Sequence, residues 1–416
     1  MVAFWGERYG DYLADLLLPS LLAPNNLPLL DAADGHRFFI ASPRAEWETI
    51  ERLPIMDRLR RHAQPQWVEV QSAPDTSHIR DAQERYVAVL AHMKATQRRA
   101  LEAAHNPRAY GSFHFPDTLV SDGMVASLLA HARAGRQLVL CPALRQVEED
   151  VLAELESKNA WSRKLPPSQT ARALTLGPRA AADLAVRHLH PEMEVFEEGA
   201  VSQPPLPPFR IWRMPEGRGI LLHTFFIIPV LMDYSIVAAD HTACLDHEMI
   251  ENVYVSANFR NCRAVHTVRD SDEFMMLSLT PRATDHAMRI AEGKPRSSVR
   301  REYARLADIR RSYEFYVLRN RDSVRHELFR VPVRWHVDDI DLAWMREEAR
   351  IDRLIRRALG DYYKQDADRP WKGPAFNWRT VLFDYPPVLR KFAIRVLLGL
   401  RELGRGLVGQ KRRTAA

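Results

Sequence analysis

Arg37-Phe38-Phe39-Ile40-Ala41-Ser42-Pro43-Arg44 holds the key to the architecture of this chain. A strand signal over Arg37 to Ile40 gives way to a helical pattern from Arg44 to Arg61, and Trp67-Val68-Glu69-Val70 repeats the strand signal. Strand, helix and strand in that order predict a βαβ unit and a parallel sheet. Upstream, a short apolar start ends in a turn at Gly6 and leads to a helix that stops near Pro24. Downstream, Gln83 to His105 and Met124 to Ala134 read as helices, and Gln137-Leu138-Val139-Leu140-Cys141 as a buried strand. Ile220 to Pro229 reads as a strand that places His223 on one face with Leu221 and Phe225.

The Pro-rich Ser202-Gln203-Pro204-Pro205-Leu206-Pro207-Pro208 can continue neither helix nor central sheet, so it marks a boundary. Three regions are therefore expected. Residues 1–201 form an α/β region, 209–337 an acidic region of the same or a joined domain, and 338–416 a helical extension with a basic tail. At 416 residues, 46% hydrophobic and 27% charged, the chain has the makeup of a folded protein of two or three cores.

Charge is unevenly spread. The net charge is +6, yet from Leu389 to Ala416 eight Lys or Arg face the single acid Glu402, so the rest of the chain is close to neutral. Basic character is thus a tail property, and nucleic-acid binding by the body gains no support from it. Val388 to Val408 places Leu389, Phe392, Val396, Leu397, Leu400, Leu403 and Leu407 near helical spacing with arginines between them. Such a helix either packs on the protein or lies on an anionic membrane surface through residues 389–413.

Glu7, Arg8 and Asp11 stand where a secretory leader would need an apolar core. The apolar stretch Gly219 to Ala239 is interrupted by His223, Pro229 and Asp233, which favours buried strand and turn over a membrane span. Three cysteines (Cys141, Cys244, Cys262) are widely spaced without a Cys-x-x-Cys. The expectation is a protein of the reducing cytoplasm, peripheral on the inner face of the membrane if the tail binds lipid.

The densest carboxylate cluster is Asp270-Ser271-Asp272-Glu273, set between the apolar runs Ala264 to Val268 and Phe274 to Leu277. Like charges so close raise one another's pKa unless a cation sits among them. Hard oxygen donors of this kind suit Mg²⁺, Mn²⁺ or Ca²⁺. The other reading is a strand followed by a helix whose first turn carries acids for the macrodipole.

Phe4-Trp5-Gly6-Glu7-Arg8-Tyr9, the helical Leu16 to Pro24, and the βα unit from Phe39 together resemble the opening of GT-A-type nucleotide-sugar glycosyltransferases of bacterial glycan biosynthesis. That resemblance covers roughly residues 1 to 145. It implies a GT-A-like, Rossmann-like α/β fold with a mixed or parallel sheet and flanking helices. The implied reaction moves a sugar from a nucleotide-sugar donor to a glycan or lipid-linked acceptor, with Mg²⁺ or Mn²⁺ as cofactor. Trp5, Gly6, Arg8 and Tyr9 would then face the nucleotide, an aromatic ring stacking on the base and Arg8 meeting the diphosphate. Tyr110 to Gly123 delivers Asp117 where the family carries its metal-binding Asp-x-Asp element. The sequence departs from the pattern there, because Thr118 and Leu119 follow; Asp122 lies five residues on and either joins the site or caps the next helix.

The tetrad comes late in the chain for the donor-metal element. Asp270 and Asp272 are therefore expected as acceptor-side or general-base groups, with Asp246 and His223 beside them as candidates for taking the acceptor's proton. The metal assignment stays open between Asp117 and the group Asp270, Asp272 and Glu273. Two other readings compete. In a metal-dependent hydrolase, His188, His190 and His223 would converge with Asp246 or Asp270 on one ion. In a non-catalytic membrane-associated partner protein, the tetrad would only cap a helix.

Overall fold

The computed structural model describes residues 1–200, 206–225, 228–236, 264–283, 298–318 and 323–364. These belong to one compact unit, Met1–Pro370; the second unit, Trp371–Ala416, lies outside the described residues, as do Asp246 and the basic run 389–413. The described chain is mixed α/β. Its strands are β1 (Val2–Ala3), β2 (Arg37–Ser42), β3 (Gln64–Glu69), β4 (Tyr110–Gly111), β5 (Thr118–Val120), β6 (Leu138–Cys141) and β7 (Arg145–Val147), then β8 (Phe209–Arg213), β9 (Gly219–Thr224), β10 (Ile228–Asp233), β11 (Val265–Thr267), β12 (Met276–Thr280) and β13 (Val333–His336).

β1, β2 and β3 form an all-parallel sheet with β2 in the centre, as the strand-helix-strand signal predicts. A second sheet has the order β11-β6-β10-β4, with β11 parallel to β6 and β10 antiparallel to both its neighbours. The two meet edge to edge: Val2 bridges His114 in parallel, and the His114 N–H donates to the Met1 carbonyl at 2.9 Å. The parallel strands β1, β2, β3, β6 and β11 therefore place their carboxyl ends along one edge, where open α/β sheets collect ligands. β5-β12-β7 and β13-β9-β8 make two further sheets. A parallel bridge from Asp270 to Arg334 ties the chain beyond β11 to β13.

Local chemistry explains where the elements start and stop. Phe38 and Ile40 alternate into the core on β2, beside Leu17, Leu21, Ile55 and Leu59. The helix expected from Arg44 to Arg61 is two, Arg44–Glu51 and Pro54–Leu59. Pro54 forces Leu53 into extended backbone and has no N–H to continue the first helix, so the chain restarts. Gly6 sits at φ +84°, the left-handed region that glycine enters at no steric cost, and turns β1 into the helix Glu7–Tyr12. Ala82–Ala104 and Met124–Arg133 are helices as read from periodicity.

Two expectations change. The single strand over Ile220 to Pro229 is two strands in different sheets, β9 and β10. Pro229 lies where the register of β10 against β6 slips, which is where a residue without an N–H is tolerated. The tetrad does not open a helix: Ser271 to Glu273 form a turn and β12 follows, so capping of a first helical turn is excluded as its role. Residues 209–337 also contain two helices beside their short strands, Ser298–Tyr313 and Ser323–Arg330. Leu342–Leu359 is helical as expected past Asp338, its first turn capped by the Asp341 carboxylate accepting from the Trp344 N–H at 2.9 Å.

Candidate metal centre

The turn after β11 is anchored by its one uncharged member. Ser271 is buried; its Oγ accepts from the His336 N–H at 3.0 Å, and its own N–H donates to the Arg334 carbonyl at 2.9 Å. With Ser271 locked inward against β13, Asp270 and Asp272 are held on the other side of the turn. Asp270 Oδ1 lies 2.8 Å from His336 Nε2, and Asp272 Oδ2 lies 3.8 Å from the same nitrogen. One ligand atom from each of Asp270, Asp272 and His336 falls within 4.8 Å of the others.

His336 decides what that trio can hold. The ring is only 3% exposed and its Nδ1 sits 2.7 Å from the Asp338 carbonyl, which can only accept. Nδ1 therefore carries a hydrogen, and in the neutral ring Nε2 presents its lone pair to the Asp270 carboxylate. Lone pair against carboxylate is repulsive. The contact becomes favourable when a hydrogen or a metal cation lies between the two atoms, and a histidine whose second nitrogen donates to a backbone carbonyl is how metal-ligating imidazoles are oriented.

Around the trio, Arg179 binds Asp272 through two bonds of 3.0 Å and reaches Asp339 at 2.7 Å. This pairing holds the Asp272 carboxyl below its ordinary range, with His336 adding to the effect against the opposing cost of burial. Arg334 forks onto Glu348 of the helix Leu342–Leu359 at 2.7 and 3.0 Å, which ties β13 to that helix.

Glu273, the third acid of the tetrad, turns elsewhere. Its Oε1 accepts from His131 Nε2 at 2.8 Å and from Ser127 Oγ at 3.0 Å, and His266 Nε2 lies 3.0 and 3.1 Å from the two oxygens. His131 comes from the last turn of the helix Met124–Arg133 and His266 from the middle of β11. Burial pushes the Glu273 carboxyl up, but the bonds from His266 and His131 outweigh it and leave it lowered. Cys141, the free thiol at the end of β6, is buried and its pKa is raised by burial and then by the charge on Glu273.

The other candidate residues occupy separate places. Trp5 and Gly6 follow the carboxyl end of β1; Trp5 meets His92 edge-on at 4.6 Å, and the Gly6 N–H donates to Glu46 at 3.1 Å. Arg8 bonds Tyr12 at 2.8 Å and pairs with Glu148, while Tyr9 is exposed and meets Tyr12 edge-on. Asp117 sits in the turn that opens β5, at the amino end of a strand rather than the carboxyl end. Asp122 does not cap the helix after it: both its oxygens take bonds from Asn25, at 2.7 and 2.9 Å, and Gly123 is the cap residue.

His188, His190 and His223 are not brought together. His188 Nε2 lies 2.7 Å from Glu154. His190 caps the short helix Pro191–Glu194 through Nδ1, so its Nε2 carries the hydrogen that meets the Pro281 carbonyl at 3.0 Å. His223 is fully buried with Nδ1 on the Phe329 carbonyl at 2.6 Å, near the rings of Phe329 and Trp212, and burial lowers its pKa to about 4. Its surroundings are those of a core histidine.

His336, His131, His266 and Arg179 do not emerge from motif spacing. A usable signal existed for His266, a lone imidazole in an apolar strand seven residues before Glu273. Comparison with known proteins gives no identity: no family model, no curated protein and no solved structure matches the chain. Among the described residues, no helix is long and apolar enough to cross a membrane.

Proposed function

We propose that the protein is a glycosyltransferase that uses a nucleotide-sugar donor and a divalent cation, Mg²⁺ or Mn²⁺, held by Asp270, Asp272 and His336. One observation carries the reading: the Nε2 of a buried histidine, its other nitrogen engaged by a backbone carbonyl, faces an Asp-x-Asp pair just beyond a parallel strand. The tetrad moves, on this reading, from the acceptor side to the donor's metal. Bound there, the cation supplies positive charge against the leaving diphosphate.

The mixed sheet, with its parallel strands ending on one edge, supports a GT-A-like arrangement of the donor. On this reading Trp5 at the end of β1 and the exposed Tyr9 are the rings that would meet the base, and Gly6 supplies the turn between them. Arg8 and Asp122 already serve as structural partners of Glu148 and Asn25, which moves both away from a direct role. Asp246, outside the described residues, remains the candidate for taking the acceptor's proton. The basic run 389–413 would hold the enzyme on an anionic membrane surface that presents a lipid-linked acceptor.

A thermal-shift screen of UDP-, GDP- and CDP-sugars with and without Mn²⁺ tests the reading. A cognate donor at about a hundred times its Kd should stabilise the protein by about 2.7 kcal/mol, with Mn²⁺ required for the effect. Asp272→Asn should abolish the Mn²⁺-dependent stabilisation and lower transfer about a hundredfold, the loss typical of removing one preorganised charge-stabilising contact. Absence of stabilisation by every nucleotide sugar would overturn the proposal.

A further inference from the structure

We infer that His131, His266 and Glu273 form a second metal site, distinct in chemistry from the first and suited to a first-row transition dication such as Zn²⁺. Two imidazoles and one carboxylate drawn from a helix, a strand and a turn converge so that one ligand atom of each lies within 4.8 Å of the others. Both Nε2 atoms point at the same carboxylate. Two histidines with one carboxylate leave coordination positions open for water or substrate, the donor set of catalytic zinc and of non-haem iron centres. Two nitrogen donors against a single carboxylate make the site a poorer one for Mg²⁺ than the oxygen-rich trio.

The packing of the two rings argues against both being charged. They stack with centroids 3.8 Å apart and planes 28° from parallel. If both were imidazolium, two like charges at that separation would share a single neutralising carboxylate. With neutral rings the conflict is absent, and a dication entering the cluster would take the place of the Nε2 hydrogens that otherwise meet Glu273. Among the described residues, the side chains bonded to Glu273 are Ser127, His131 and His266, so no Lys or Arg fills the position a cation would take. The Ser127 hydroxyl donates to Oε1 of the same carboxylate at 3.0 Å and so helps orient it, the task of an outer-shell partner. Side-chain exposures of 20% for His131, 26% for His266 and 24% for Glu273 leave a path for an ion from solvent.

Metal-stripped full-length protein should be titrated with Zn²⁺ by calorimetry and with Co²⁺ by its visible absorption, beside His131→Gln, His266→Gln and Glu273→Gln. Each variant should lose one equivalent of Zn²⁺ together with the tetrahedral Co²⁺ bands. Asp270→Asn should keep that equivalent, which separates this site from the one proposed for Mn²⁺. Ser127→Ala removes only a hydroxyl from a helix face and should weaken Zn²⁺ binding about 10- to 100-fold even if the ligand variants fold poorly. A wild type that binds no Zn²⁺ would overturn the inference, and so would an equivalent that survives in the variants with unchanged affinity in Ser127→Ala. Neither result bears on nucleotide-sugar binding.

Discussion

Asp270-Ser271-Asp272-Glu273 feeds two trios that share their residue types and differ in their surroundings. Asp270, Asp272 and His336 offer two carboxylates and one imidazole; the histidine is 3% exposed, the acids are 37% and 43% exposed, and Arg179 stands over Asp272. His131, His266 and Glu273 offer the reverse ratio, are evenly half-buried, and have no Lys or Arg bonded to the acid among the described residues. Oxygen-rich and nitrogen-rich sets select different cations. A single turn can serve both because Ser271 is pinned inward to β13, leaving its neighbours to project on either side. The lesson is that a run of acids read as one site from its spacing is divided by the strand pairing around it.

The sharpest way to break the comparison is to move β13 alone. Gly219 pairs with His336 across β9 and β13, at φ +143°, and an added Cβ would stand 2.0 Å from the Trp335 carbonyl oxygen and 3.0 Å from His336 Cα. No side-chain rotation relieves a clash with backbone. Gly219→Ala should therefore cost about 3 kcal/mol or more in urea unfolding. In the folded fraction, the Mn²⁺ response at Asp270 and Asp272 should be lost while Zn²⁺ binding at His131 and His266 remains. Wild-type stability in this variant would show that β9 and β13 do not pair in this register.

A second contrast sets His336 against His223, both buried with Nδ1 on a backbone carbonyl. The Nε2 of His336 faces carboxylates, whereas His223 lies among aromatic rings and burial lowers its pKa to about 4. The sign follows from linkage. Below about pH 6.5 the unfolded chain protonates His223 and the folded chain does not until about pH 4. Stability from this group is thus whole above pH 6.5 and falls as pH drops toward 4, by about 3 kcal/mol in all. His114, lowered to about 3 by burial, acts with the same sign, so the readout is a difference. Urea midpoints at pH 7, 5.5 and 4 should fall less steeply in His223→Gln than in wild type; equal slopes would mean that His223 is not sealed in the core.

Much of the first half was legible from local chemistry. The strand at Phe38 and Ile40, the Gly6 turn, the helices Ala82–Ala104 and Met124–Arg133, and the buried β6 all follow from periodicity and backbone constraint over short windows. The break at Leu53-Pro54 was also readable, since proline restricts the residue before it. Apolar runs were harder: Phe274 to Leu277 fits the start of a helix as well as the strand it enters, and only pairing of β12 with β5 and β7 decides it. The site was half legible. Its acids form a visible cluster, but His131, Arg179 and His336 lie 142, 93 and 66 residues from their carboxylate partners. Contacts at that separation are set by topology, about which no local window carries information.

Arg179 gives the smallest effect and separates the two trios most cleanly. Its guanidinium forks onto Asp272 and also meets Asp339, so any cation entering the oxygen-rich trio competes with it for Asp272. The pair is exposed, and exposed pairs contribute little to folding, so Arg179→Gln should leave thermal stability close to wild type. What changes is the competition. Freed from the guanidinium, Asp272 should bind Mn²⁺ about threefold more tightly, in keeping with an exposed ion pair. The gain should shrink as ionic strength rises, because the displaced charge is screened. Zn²⁺ binding at His131, His266 and Glu273 should be unmoved, since Arg179 does not bond Glu273. Calorimetric titration of both metals in the variant checks the pair of outcomes. Weaker Mn²⁺ binding in Arg179→Gln would show instead that the guanidinium holds Asp272 in place for the metal, and the two sites would then differ in how they are supported as well as in which cation they select.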